Sequence, residues 1–299
     1  MRKKLKNIIF IFVFFAYQVF KIKTLLKIFH IQIKGISKII KTKIDGHIKL
    51  GNKSKLKKSS LFGKINIQEY TFIENSFLNG EIEIGLKSIV KNSNIQGVFR
   101  VGTNAFMENI SISGNVNIGN NFKVLGTGVV LRGNIEVGNY TSFNGPNTDV
   151  RAGIHNVKIG NFCSIARNVT IQEYNHKTNR VSSYFMSQNV FRESMLNDIN
   201  SKGNITIEND VWIGTHCVIL SGSHISTGAA IAANSIVSGY IPPYAIAGGN
   251  PAKVLKSRFS ESQIKQLLDL KWWEWDIEKI KRNKDFFLSD EMEIRKVVD

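Results

Sequence analysis

Between residues 205 and 240 an aliphatic side chain returns at every sixth position, at Ile207, Ile213, Ile219, Ile225, Ile231 and Val237. The fourth residue after each of the first five is small or β-branched: Val211, Cys217, Ser223, Ala229 and Ser235. Six is a multiple of two, so these aliphatic positions keep facing one way along short strands, whereas a helix would carry them around its axis. Three six-residue sides close a triangular coil, with the aliphatics inside and the small residues at the corners. Coils of this kind stack about 4.8 Å apart through backbone hydrogen bonds. The spacing predicts an all-β solenoid.

Upstream the repeat lengthens to 17: Leu50, Ile67, Ile84, Val101 and Ile118 stand 17 apart, and most are followed by glycine, as in "LGNKS", "VGTNA" and "IGNNF". Val137 and Ile159 continue the series with small insertions, giving about nine coils over residues 44–258. The register then breaks. Ile159 and Ile207 lie 48 residues apart, where a coil needs about 18, so some 30 residues, 172–204, are extruded. A loop of that length in a compact repeat is usually functional. It carries His176 near its start, between Asn175 and Lys177. An imidazole there can lean over a solenoid face and accept a proton near neutral pH. His30, His47, His155, His216 and His224 read as surface or hydrogen-bonded residues.

After the repeat, residues 259–299 read as a helical tail. Ser260 and Gln263 form a capping box, and Ile264, Leu267 and Leu268 share one face. Trp272, Trp273 and Trp275 read as packing against the solenoid.

Composition changes this picture little. The chain is 42% apolar, with 24 glycines against four prolines, as tight turns between short strands require. Cys163 and Cys217 make neither a disulfide framework nor a metal-ligand spacing. The formal charge of +17 resembles a nucleic-acid signal until it is located: residues 1–43 hold eleven Lys or Arg and no acid. The folded body shows no basic, aromatic-lined groove motif, which argues against nucleic acid. In that leader the apolar run 8–20 is too short to span a bilayer, and no small-residue cleavage site follows it. A basic apolar helix over 1–43 fits a peripheral anchor on an anionic membrane surface, or a cap on the solenoid.

The stretches "IENDVWIGTHCVILSG", "AIAANSIVSGYIPPYAIAGGNPAKVLKSRF" and "LLDLKWWEWD" resemble the hexapeptide-repeat acyltransferases, in the xenobiotic branch that includes chloramphenicol and streptogramin acetyltransferases. The resemblance spans residues 135–280, about half the chain. It implies a left-handed parallel β-helix, against the general preference for right-handed crossovers, and assembly as a homotrimer with acetyl-CoA threaded between subunits. "YNHKTNRVSSYF" is similar to the branch's catalytic loop, with His176 at the general-base position. Matching the motifs implies Trp212 beside the thiol end of the cofactor, with Thr215 just beyond. Ala233 and Ser238 would lie along the pantetheine arm, and Lys253 and Lys256, three apart, would meet the phosphates. Small residues at 233 and 238 are also what corners demand, and Trp212 could serve packing alone. Gly239 departs from the lysine of related sugar transferases, which removes one contact. No metal is expected: a γ-type carbonic anhydrase shares the solenoid but needs three zinc-ligating histidines, and no such set is apparent.

The coils preceding the histidine loop suit a wide polar acceptor. The expectation is therefore O-acetylation of a bacterial surface glycan or its lipid-linked precursor, in the cytoplasm at the inner membrane. An antibiotic acceptor is the alternative, against which "SSYF" lacks the proline common in drug-modifying loops. A non-catalytic structural or binding solenoid is the alternative of another class.

Overall fold

Three-residue strands with two buried ends and an outward middle, such as Ile48–Leu50, Ile65–Ile67 and Ile82–Ile84, are the unit of the fold. The computed structural model describes residues 31–33, 35, 37, 46–289 and 297. Stacked in parallel, these units build a left-handed β-solenoid with three faces: an eleven-stranded first face, a second of six parallel strands extended by an antiparallel seventh, and a six-stranded third. The first face runs from Ile31–Ile33 to Tyr240–Ile241, so the coils number about eleven rather than nine. Two end coils escaped the sequence count: Ile33 is followed by lysine instead of glycine, and Ile241 follows Ile225 by 16 residues instead of 18. Apart from residues 31–33, 35 and 37, the leader 1–43 lies outside the described residues. Among the described residues no helix is long and apolar enough to cross a membrane.

The glycine that follows six of the first-face strands has a steric cause where it meets the next coil. A Cβ on Gly102, Gly119, Gly138 or Gly160 would lie 2.3–2.6 Å from the side-chain oxygen of Asn120, Asn139, Asn161 or Asn209 in the next coil. Those oxygens accept the backbone N–H of Thr103, Asn120, Asn139 and Asn161 at 2.7–2.9 Å. Glycine and asparagine are thus one device spread over two coils. The neighbouring corner works similarly: Thr71, Ser88 and Thr141 donate to the carbonyls of Gly85, Gly102 and Gly160 at 2.7–3.0 Å. Cys163 takes the same place, its thiol directed at the Glu208 carbonyl at 3.0 Å. Burial pushes that thiol up to about 12, so it stays protonated and inert.

The 17-residue coils differ on the third side. Sheet pairing on the third face starts only at Ser111–Ser113. Below it the chain turns through left-handed residues, Leu61 and Phe62, Phe77 and Leu78, Asn94 and Ile95, all at positive φ. Instead of laying a strand there, these coils accept backbone strain of about 1–2 kcal/mol per left-handed residue. Leu61, Leu78 and Ile95 are nevertheless fully buried.

The tail docks at the edge between first and second faces. Its helix Glu261–Leu270 has the expected capping box, Ser260 with Gln263, and buries Leu267. Trp272 packs 5.0 Å from Phe162, which stacks on Tyr140 at 4.8 Å. The carbonyl of Trp273 accepts from Asn161. Phe286 and Phe287, which the sequence reading left unassigned, complete a cluster with Trp272 and Trp275.

Candidate active site

The extruded loop leaves the edge between third and first faces after Thr170–Gln172 and returns to Ile205–Ile207. Its neck is a short antiparallel pair, Asn175–His176 with Ile199–Asn200. Two carboxylates hold it. Glu173, wholly buried, accepts from the backbone N–H groups of Gly153 and Ile154 at 2.8 Å and contacts His155 at 3.1 Å, which rivets the neck to the coil below. Asp198 accepts from the N–H groups of Ser187 and Gln188 at 3.0 and 2.9 Å, with Arg180 at 3.5 Å, and so folds the loop back on itself. Burial opposes charge on both. The hydrogen bonds prevail, those of Ser201, Ile154 and Gly153 on Glu173 and those of Gln188 and Ser187 on Asp198, so both carboxyls lie below the ordinary range. Above the neck, the Asn175 amide donates to Ser221 of the next coil.

His176 is fixed by this frame. Its Nδ1 lies 2.7 Å from the carbonyl oxygen of Ser183, and Phe185 meets its ring edge-on at 4.3 Å. A carbonyl only accepts, so Nδ1 carries a proton, and in the neutral ring the lone pair lies on Nε2; the residue is exposed. The sequence reading could not name the group that orients His176; it is a backbone carbonyl seven residues on, which no side-chain pattern reveals.

The other expected site residues fall at four places on one chain. Ser238 sits on the same edge as His176, exposed. Thr215 and Ala233 sit one above the other on the edge between second and third faces, where the Thr215 hydroxyl donates to the Arg167 carbonyl at 2.8 Å. Trp212, 54% exposed, lies on the second face between Ser164 and Ala230. Lys253 and Lys256 belong to the strand Ala252–Ser257, antiparallel to Ala245–Gly249. Residues three apart on a regular strand face opposite ways. Here a bulge intervenes, so that Lys253 pairs with Gly248 and Lys256 with Ile246. Those partners are two apart, which puts both lysines on one side. The third face thus has the histidine edge on one flank and the Thr215–Ala233 edge on the other. Among the described residues no group of three or more His, Cys, Asp or Glu is placed to hold a metal ion.

No family model matches the chain. Over 169 residues it is 36% identical to a chloramphenicol acetyltransferase of Klebsiella aerogenes, covering 50% of this chain and 79% of that protein. It is 30% identical over 140 residues to WbbJ of Escherichia coli (strain K12), named as a lipopolysaccharide biosynthesis O-acetyl transferase, covering 46% of this chain and 66% of that one. A hexapeptide-repeat acetyltransferase of Vibrio cholerae, solved with acetyl coenzyme A, shares 24% identity over 60% of this chain and 72% of its own, with a TM-score of 0.37. That superposition is too loose to transfer any residue. The sequence identity, over nearly four fifths of a curated relative, places the chain among the hexapeptide-repeat acetyltransferases, in the branch of the chloramphenicol acetyltransferases.

Proposed function

We propose that the protein moves an acetyl group from acetyl-CoA to a hydroxyl of a bacterial surface-glycan sugar or its lipid-linked precursor, with His176 as general base. The observation that carries the reading is the Nδ1 contact with the Ser183 carbonyl, which leaves Nε2 as a fixed, outward proton acceptor. Nε2 takes the proton of the acceptor hydroxyl as its oxygen attacks the thioester carbonyl. The tetrahedral adduct then expels the CoA thiolate, which recovers the proton from the imidazolium, and no acyl-enzyme forms.

The donor site is completed by a second copy in a homotrimer. CoA lies along the third face, between Ala233 and Thr215 on one flank and Ser238 on the other, its phosphates toward Lys253 and Lys256. Trp212 faces away from that flank on a single chain, and a neighbouring copy would bring it to the thiol end. The charged leader holds the trimer at the inner face of the bacterial membrane.

The glycan reading is supported by the coils that precede the histidine loop and by the likeness to WbbJ. The antibiotic reading is supported by the higher identity to the chloramphenicol acetyltransferase. Acetyl transfer assayed in parallel on chloramphenicol, a streptogramin and glycan acceptors separates them: turnover on the drugs alone overturns the proposal. Undiminished transfer by H176A would remove the catalytic role of the imidazole.

A further inference from the structure

We propose that the outward row of the first face is a binding track for a linear, largely uncharged glycan, which leads to the edge that carries His176. The proposal rests on the glycan reading for the identity of the acceptor; the chemistry of the face stands apart from it.

The row is continuous. Lys49, Asn66, Glu83 and Arg100 are successive register partners on the first face. Asn117, Glu136 and Lys158 extend the same register, and Thr206, His224 and Tyr240 finish it. Base, amide and acid recur in that order, about 4.8 Å per coil, a step comparable with one pyranose ring. Two cavities, of about 370 and 580 Å³, open along the row and share Glu83 and Arg100.

The side chains are not committed to one another. Glu83 accepts from the Asn66 amide at 3.1 Å and does not pair with Arg100 beside it. The side chains of Lys49, Arg100, Glu136 and Lys158 make no hydrogen bond or ion pair among the described residues. Solvated donors and acceptors, alternating along a cleft, match the hydroxyls of a sugar chain.

Charge complementarity selects among linear polymers. A polyanion would meet Glu83 and Glu136, and a polycation would meet Lys49, Arg100 and Lys158. A neutral polyhydroxylated chain meets no like charge anywhere along the row. At its upper end the row reaches Tyr240, 61% exposed and edge-on to His224 at 5.5 Å, an aromatic surface on which a sugar ring can stack. That coil follows directly on Ser238, at the edge where the histidine loop leaves the solenoid. A polymer lying on the track therefore runs along the edge from which the histidine loop leaves, between the coils of Lys158 and Thr206.

The test uses the full chain carrying H176A, which leaves the first face intact, titrated calorimetrically with neutral malto-, cello- and chito-oligosaccharides of two to eight units. At least one series is expected to bind more tightly with length and to hold its affinity when salt is raised. Arg100→Ala with Glu136→Gln is expected to weaken the longer members about tenfold, as loss of charged hydrogen bonds does, while CoA binding stays unchanged. Absence of length-dependent binding would overturn the proposal. So would binding confined to anionic polymers with steep salt dependence, or a change of oligomeric state in the double variant, which would make the face a contact between copies. Length-dependent binding without acetyl transfer would leave the track standing and remove only the glycan acetylation. Transfer to short glycans without length dependence would do the reverse.

Discussion

The coils below residue 110 and those above it use the same inward aliphatics but solve the triangle differently. The lower coils repeat at 17 residues, carry regular pairing on the first face and only isolated bridges on the second, and turn the third corner through left-handed backbone. The upper coils lay strands on all three faces. This difference decides what each half can carry. A complete third face gives the histidine loop a rigid base, with Ile171 and Ile219 paired beneath it. The lower coils offer a long, uninterrupted first face.

The contrast is sharpest at the loop. His176→Ala is expected to lower kcat about 10²- to 10⁴-fold while circular dichroism stays unchanged; steady-state acetyl transfer measures it. Core truncations divide the halves. Ile219→Ala and Ile67→Ala, both fully buried, should each cost about 2–5 kcal/mol in denaturant unfolding. Because coils stack as nearest neighbours, only Ile219→Ala should also depress acetyl transfer. Equal losses of activity from both would show that the halves act as one cooperative unit.

Two glycines make a smaller comparison. An added Cβ at Gly138 would lie 2.4 Å from the Asn161 side chain and 2.5 Å from the backbone of Gly160, whereas at Gly97 it meets nothing within 4 Å. Gly138→Ala should cost about 1–3 kcal/mol and Gly97→Ala less than about 0.5 kcal/mol, read from thermal or denaturant melts. The subtlest expectation concerns pH. Glu173 and Asp198 have lowered folded-state pKa values, so they stabilise the loop above the ordinary carboxylate range and lose that contribution as pH falls through the lowered values. Amide protection across 175–200, taken relative to the intrinsic exchange rate at each pH, should be constant from about pH 8 to 5 and fall below about pH 4, before the lower coils open. Asp198→Asn should produce the same loss of protection at neutral pH.

Much of this architecture was legible beforehand because the repeat is local. The six-residue spacing of the upper aliphatics, the excess of residues between Ile159 and Ile207 and the Ser260–Gln263 capping box are all recorded in residue type at fixed offsets. Less visible were the end coils, where Ile33 lacks its glycine and Ile241 arrives two residues early. The glycine–asparagine device was present in Gly119–Asn120, Gly138–Asn139 and Gly160–Asn161 but could not be explained from one coil, since the clash lies in the next. Lys253 and Lys256 show the limit most clearly. Their spacing suggested a shared face, yet a regular strand would have separated them, and a bulge brings them together.

Residue order by itself determined the solenoid, the place where it breaks and the histidine that the break exposes, because period and composition act between neighbours on the chain. Tertiary structure decided what that histidine can do: the backbone carbonyl of Ser183 accepts the Nδ1–H, and two carboxylates hold the neck and loop around it. It also decided which outward residues from successive coils form one row, because stacking turns a distance of 16 to 48 residues along the chain into a single step across it.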